Sequence, residues 1–317
     1  MRLAVGLGNA DQLEAYASAG ADEVFFGYVP EKWMRRWGLL LPLNRRESRY
    51  VNVQAGGMNE VRILKKRAGD RGIPLAVTLN ALYYVPGQLD AAEELVLRLR
   101  EEGLDTLIVG DLGLLWALAD RGALEGAKVH LSGEAGEVNR GLLPLLGEVR
   151  VERVIFHRKT AHADRAGLIA FSRAHPECGV KEFEAFAQNE MCHFTGAYCA
   201  CVHLEEAPPL CRAEGRPAPL EDGGPTRPPA EPLRTGTGGC ALCAFPRLKR
   251  EGITHVKLVG RGAHTGEMTE QIRRTKAALK RTDEIRGEES YLRQVRLLLG
   301  EEGCEGTCYY PEWGFLR

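Results

Sequence analysis

The chain has 317 residues, with 42 Lys plus Arg against 43 Asp plus Glu and a formal net charge of -1, so no global field draws in nucleic acid and any RNA contact has to be local. The length exceeds a typical domain but suits one α/β barrel of ~250 residues carrying an insertion. No apolar run approaches the ~20 residues of a membrane span, and MRLAVGLGNADQ reaches charge and helical pattern too early for a signal peptide, which predicts a cytoplasmic protein without a membrane span.

Short apolar runs alternate with helical patterns. Strands are predicted at 2–7 (RLAVGL), 23–27 (EVFFG), 75–80 (LAVTLN), 106–110 (TLIVG), 128–132 (KVHLS), 153–157 (RVIFH), 181–187 (KEFEAFA) and 255–259 (HVKLV). Between them, stretches such as 9–20, 58–72, 89–103 and 112–122 repeat apolar residues near i, i+3 and i+4 and close on a glycine suited to a left-handed C-cap. Eight such βα units predict a TIM barrel over 1–287, closed by a helix over 267–281, with a helix and a cysteine-bearing tail over 288–317. The segment 203–239 holds eight of the sixteen prolines and has no period, so it reads as a long inserted loop after strand seven. A second irregular stretch, 28–57, follows strand two. Both leave the strand ends where such barrels build active sites.

In VGLGNADQ, Gly6 and Gly8 follow a strand, but Asp11 stands where a dinucleotide fingerprint needs its third glycine; Asn9 with Gln12 reads as a capping box at a helix start. The loop after strand two interleaves Trp33, Trp37 and Tyr50 with Arg35, Arg36, Arg45, Arg46 and Arg49. That mixture suits a lid or a protein interface, and secondarily single-stranded RNA. Asn80, Asp111, Ser132, His157, Arg158, Glu184, Lys257 and Arg261 fall at strand ends and are candidate substrate contacts, the two arginines being able to grip a carboxylate or phosphate bidentately.

Nine cysteines in a reducing compartment point to metal, redox chemistry or packing before disulfides. Cys192 and Cys199 sit just beyond strand seven, Cys211 lies in the proline-rich loop, and Cys240 and Cys243 close it, so one βα unit brings five thiols to one mouth once Cys201 is set aside. Thiolates suit an iron–sulfur cluster or zinc. The only C-x2-C is 240–243 and no ferredoxin run occurs, which favours a cluster with dispersed ligands. Cys304 and Cys308, in CEGTC, are read as a surface tail or as part of a second metal site. No H-E-x-x-H or G-x-S-x-G supplies peptidase machinery.

GNADQLEAYASAGADEVFFG, LAVTLN, LDTLIVGDLGLL, KVHLSGEAGEVN, EFEAFAQNEMCHFTGAYC and CALCAFPRLKREGITHVKLVGRG together resemble the collagenase-like peptidase family U32, which includes iron–sulfur ubiquinone-biosynthesis and RNA-hydroxylation proteins. The resemblance is most specific from Glu184 to Cys199, where the family has a glutamate eight residues before the first cysteine and six residues between the two. It implies a 4Fe-4S cluster on Cys192, Cys199, Cys211 and Cys240, with Cys201 and Cys243 as alternates for the last two. It further implies oxygen-independent hydroxylation of an aromatic or nucleobase-type substrate, with a small-molecule carboxylate as oxygen donor. Alternatives are a collagenase-like peptidase, and a zinc- or cluster-stabilised non-catalytic subunit forming a homo- or hetero-dimer with a related barrel. Two family carboxylates are replaced, at His157-Arg158-Lys159 and at Lys257-Leu258-Val259, which marks a divergent member.

Overall fold

A computed structural model describes residues 1–38, 40–45, 53–190, 192, 220–221, 224–225, 239–300, 308–313 and 315. In chain order the strands are β1 (Arg2–Gly6), β2 (Glu23–Gly27), β3 (Leu75–Leu79), β4 (Thr106–Val109), β5 (Lys128–Leu131), β6 (Val151–Ile155), β7 (Glu182–Gln188), β8 (Leu220–Glu221), β9 (Gly224–Pro225) and β10 (His255–Leu258). β1 to β7 and β10 form a closed parallel barrel in which β10 pairs with β7 on one side and β1 on the other. The helices are α1 (Gln12–Ala19), α2 (Glu31–Trp37), α3 (Met58–Asp70), α4 (Pro86–Glu101), α5 (Leu112–Asp120), α6 (Leu142–Glu148), α7 (His162–Ala174), α8 (Phe245–Glu251), α9 (Thr265–Glu284) and α10 (Glu288–Leu299). The architecture is the TIM barrel that strand–helix alternation predicts. Among the described residues, no helix is long and apolar enough to cross a membrane.

Outward-facing strand residues such as Leu3, Val24, Val77, Leu107, Val129, Val154 and Val256 join one buried apolar cluster with Leu13, Leu64, Leu95, Leu115, Leu168 and Ile272 of the helices. Each such side chain contributes about 1.5–3 kcal/mol by leaving water, which is what seats the helices on the barrel. The expected capping box forms only by half: the Gln12 Oε1 accepts from Gly8 N at 2.9 Å and Asn9 N at 3.3 Å, but the Asn9 side chain accepts from Asp11 N, and α1 begins at Gln12 with Asp11 before it.

Three predicted elements shift. β6 begins two residues early and ends at Ile155, because Val151 pairs with Val129 before a register shift sets Arg153 opposite His130. His157 and Arg158 consequently leave the sheet and belong to the loop above it. The stretch after β2 is not wholly irregular, since α2 forms there around a buried Trp33 that packs against Trp37 and Tyr84 at ring separations of 4.5 and 6.2 Å. The proline-rich insertion contains the short antiparallel pair β8 and β9.

Candidate active site at the barrel mouth

The C-terminal ends of the barrel strands surround a small cavity of about 70 Å³, a volume suited to a small anionic group rather than to a peptide. Its wall includes Arg45, Arg158, Lys257 and Arg261, two carboxylates, Glu134 and Glu190, and the rings of Phe25 and Phe186. Asn80 and Ser132 also line it, each through a supporting role: Asn80 Oδ1 accepts from Arg45 N at 3.1 Å, and Ser132 Oγ accepts from Glu134 N at 3.2 Å.

Arg158 is buried, with 6% of its surface exposed, and its guanidinium lies 3.8 Å over the Phe186 ring. Its Nε and Nη1 have no hydrogen-bond partner, and Glu134 stands too far, at 3.8 Å, to serve as one. Buried donors are almost always paired, so an arginine held this way is prepared for an acceptor that arrives from the cavity. Arg261 is presented differently. Gly260 and Gly262, at φ +142° and +84°, turn the chain on either side of it; a Cβ at Gly262 would stand 2.5 Å from Val53 Cγ1. Its guanidinium donates to Gln54 Oε1, Thr78 Oγ1 and the Arg45 carbonyl at 3.1–3.2 Å. A Cβ at Gly27 would collide with Gln54, so glycine there leaves room for that partner.

Below the cavity the barrel interior is ionic. Glu184 is 1% exposed and accepts from Lys257 Nζ and Arg153 Nη1, both at 2.9 Å. Burial alone would raise its pKa, but Lys257 and Arg153 hold the carboxyl well below the ordinary carboxylate range. Burial lowers the Lys257 pKa, while Glu184 opposes that and the Phe25 ring lies 3.6 Å beneath the ammonium. Glu184 is thus a partner of the interior charges: it sits within β7, two residues before Phe186, and is not among the residues that line the cavity.

Two other candidates serve the loops. Asp111 is the N-cap of α5, its Oδ1 accepting from Leu114 N at 2.6 Å, and burial raises its pKa. His157 is buried and its Nδ1 accepts from Lys159 N at 3.1 Å. Conversely, the sequence reading missed Glu23, His130, Arg153, Glu182 and His255. The signal was available: charged residues at alternate positions of parallel strands, which ordinarily read as apolar throughout, have to face the interior.

The thiols lie beside this mouth. At the end of β7, Asn189 and Glu190 adopt φ of +70° and +54°, a left-handed pair of non-glycine residues two positions before Cys192. Residues 239–241 return antiparallel to that end, through Asn189 N to Gly239 O and Ala241 N to Ala187 O, both 2.8 Å, and Gln188 bridges Cys240. Cys308 then pairs in parallel with Cys240. Cys243 sits three residues on, and both it and Cys240 lie near the Tyr291 hydroxyl, which burial pushes well above its ordinary pKa. Cys178 is buried elsewhere, behind α7. Cys199, Cys201, Cys211 and Cys304 lie outside the described residues, as do Arg46, Arg49 and Tyr50. Among the described residues, no three His, Cys, Asp or Glu side chains converge as a metal site. Thiolates suit a thiolate-bound group in chemical kind, but Cys192, Cys240, Cys243 and Cys308 do not form a group of three ligands among the described residues.

The sequence of peptidase family U32 matches residues 8–219. No curated protein matches. Among solved structures, a dihydrodipicolinate synthase from Bacillus clausii superposes with a TM-score of 0.51 at 10% identity, covering 93% of this chain and 77% of that one, a likeness of fold alone. The U32 peptidase Mk0906 gives 0.40 at 11% identity over 60% of this chain and 70% of that one, and a phosphoribosyl anthranilate isomerase from Thermus thermophilus 0.44 at 12% over 88% and 98%.

Proposed function

The chain belongs to peptidase family U32, and on that premise we propose that it is an iron–sulfur TIM-barrel enzyme that binds a carboxylate-bearing small molecule at the mouth and hydroxylates an aromatic or nucleobase-type acceptor without molecular oxygen. The observation that carries the reading is Arg158, a buried guanidinium with two unpaired donors in a cavity that Arg45, Arg261 and Lys257 also line. A carboxylate entering there supplies an acceptor to an Arg158 donor that lacks one. Phe25 and Phe186 back the cations of the cavity, Lys257 Nζ lying 3.6 Å over the one ring and the Arg158 guanidinium 3.8 Å over the other.

Cys192 and Cys240, with Cys199 beyond the described residues, supply thiolates at the same end of β7. A cluster bound there supplies one-electron chemistry beside the anion cavity. The protein's own part is to orient the donor carboxylate through its arginines and to keep the charge below the cavity balanced, with Glu184 ionised against Lys257 and Arg153.

Anaerobic purification of the full chain is the test. Brown protein with about four irons and matching sulfide per chain, lost in both Cys192→Ser and Cys199→Ser, is the expected result. Colourless, folded protein holding stoichiometric zinc instead would remove the hydroxylase reading and leave a zinc-stabilised barrel.

A further inference from the structure

We propose that Lys257 is a nucleophile that captures a small 2-oxo carboxylate, of which pyruvate is the simplest, as an imine while Arg158 holds the carboxylate; this rests on the anion cavity of the proposed function and is independent of its cluster. Among the described lysines Lys257 alone is buried, with 7% of its surface exposed, and it lines the cavity at the mouth. Exposed lysines are solvated point charges, whereas a desolvated one at the wall of a cavity is in the setting that activates an amine toward a carbonyl. Burial lowers the Lys257 pKa, in keeping with that setting.

Neighbouring strands bring the amine and the guanidinium to one place. Lys257 of β10 is opposite Phe186 of β7 in the parallel ladder, so the two side chains enter the barrel on the same face. The Lys257 Nζ lies 3.6 Å over the Phe25 ring and donates to Glu184 Oε1 at 2.9 Å. Arg158 rests 3.8 Å over Phe186 and meets the Tyr309 hydroxyl, while its Nε and Nη1 have no partner. A carboxylate that accepts from one of those donors leaves the adjacent carbonyl in the remaining space of the cavity, whose wall includes Lys257. That space, about 70 Å³, suits a short 2-oxo acid.

The interior charges suit this step because it conserves them. Glu184 takes a proton from the ammonium, the freed lone pair attacks the carbonyl carbon, and the carboxyl passes the proton back to the adduct as the oxygen departs. A carbon–nitrogen bond forms and the carbon–oxygen bond breaks; two of the three ammonium protons leave with the oxygen as water, the third stays on the iminium, and nothing is oxidised or reduced. Glu184 is able to accept because, once the ammonium is deprotonated, one of the two cations that hold its pKa down is gone. The pair starts as ammonium and carboxylate and ends as iminium and carboxylate. Arg153, which donates to Glu184 Oε2 at 2.9 Å, therefore faces the same net charge before and after.

The experiment incubates the full-length protein with pyruvate and cyanoborohydride, which reduces an imine to a stable secondary amine, maps the adducts by peptide mass, and measures thermal unfolding in malonate alongside. Lys257 is expected to carry the adduct at about 10-fold the occupancy of any exposed lysine, malonate to suppress it, Arg158→Met to lower it about 10-fold, and acetone, which lacks the carboxylate, to leave Lys257 unlabelled. The wild-type map with malonate and acetone decides the matter even if Arg158→Met fails to fold by circular dichroism. An unmodified Lys257 in a wild type that malonate still stabilises overturns the inference and leaves the anion cavity standing. An adduct that malonate does not suppress and that acetone reproduces also overturns it, since the carboxylate then plays no part. Absence of both the adduct and any stabilisation by malonate overturns the anion cavity and this inference together.

Discussion

Arg153 on β6 and Glu23 on β2 meet in a bidentate pair, Nη1 to Oε1 at 2.7 Å and Nη2 to Oε2 at 3.0 Å, although their strands share no ladder. The contact therefore spans the inside of the barrel. Where such barrels ordinarily stack layers of branched apolar side chains, this one carries Arg153, Glu23, Glu184 and Lys257, all buried, with His130 and His255 between them. Taking these charges out of water is costly, and only their mutual pairing offsets it. The network holds strands together from within and fixes the charge beneath the mouth.

Arg153→Met is expected to destabilise the fold by about 3–5 kcal/mol, because Glu23 then keeps a buried charge without its partner. Urea unfolding followed by circular dichroism measures this. Adding Glu23→Gln should recover part of the loss, since the uncompensated carboxylate is what costs most. A single-variant loss under about 1 kcal/mol would mean that water reaches the pair and that it behaves as a surface bridge.

Acid sensitivity follows from the interior histidines. Burial first, and Arg153 second, hold the His130 pKa well below its ordinary value, and the same two causes lower that of His255. Both stay neutral when folded but take up protons in the unfolded chain below about pH 6.5, so the unfolded state binds more protons there and stability falls as pH drops. The slope is at most about 1.4 kcal/mol per pH unit for each histidine. Glu184 adds nothing in that window, since its depressed pKa makes its contribution present above about pH 4.3 and lost only on further acidification. Urea midpoints measured from about pH 7.5 to 5.5 should decline in wild type and decline less steeply in His130→Gln. Parallel curves would show that His130 does not carry the effect.

The barrel was legible because its outward-facing residues are continuous apolar runs broken by helical periods and glycine caps. β6 was misplaced by two residues because Arg153 looks like the charged start of a strand, whereas it sits mid-strand, facing inward. Arg158, Lys257 and Arg261 were found because strand ends mark the mouth of this architecture. Arg45, Glu134 and Glu190, which complete the wall, come from loops and turns with no period to read. The Arg153–Glu23 pair and the Cys240–Cys308 bridge join distant segments, and no local pattern announces such a contact. The ligand set Cys192, Cys199, Cys211 and Cys240 rests on the family resemblance.

Two glycine substitutions separate strain from collision. Gly262 and Gly287 both hold positive φ, +84° and +92°, but an added Cβ meets Val53 only at Gly262, while Gly287 has open space. Gly287→Ala should cost about 1 kcal/mol of backbone strain, and Gly262→Ala about 1–3 kcal/mol with displacement of Arg261. Thermal unfolding gives the first comparison. Anion-induced stabilisation should weaken in Gly262→Ala alone; equal weakening in both would disconnect the Arg261 turn from the cavity.

Arg158→Met yields a prediction whose sign distinguishes binding from structure. A buried guanidinium with unpaired Nε and Nη1 is a liability in the empty cavity, so replacing it by an apolar side chain should leave unliganded stability unchanged or raise it, by up to about 1–3 kcal/mol. The same change removes the donors that an entering carboxylate needs. A dicarboxylate such as malonate should stabilise wild type by mass action, about 2.7 kcal/mol at a hundred times its dissociation constant, and should do far less for Arg158→Met. Arg158→Lys keeps the charge but not the fork, and should respond in between. Thermal shift over a malonate titration at constant ionic strength reads all three. If Arg158→Met instead melts earlier and still responds fully to malonate, the residue braces Phe186 and Tyr309 and the anion binds elsewhere.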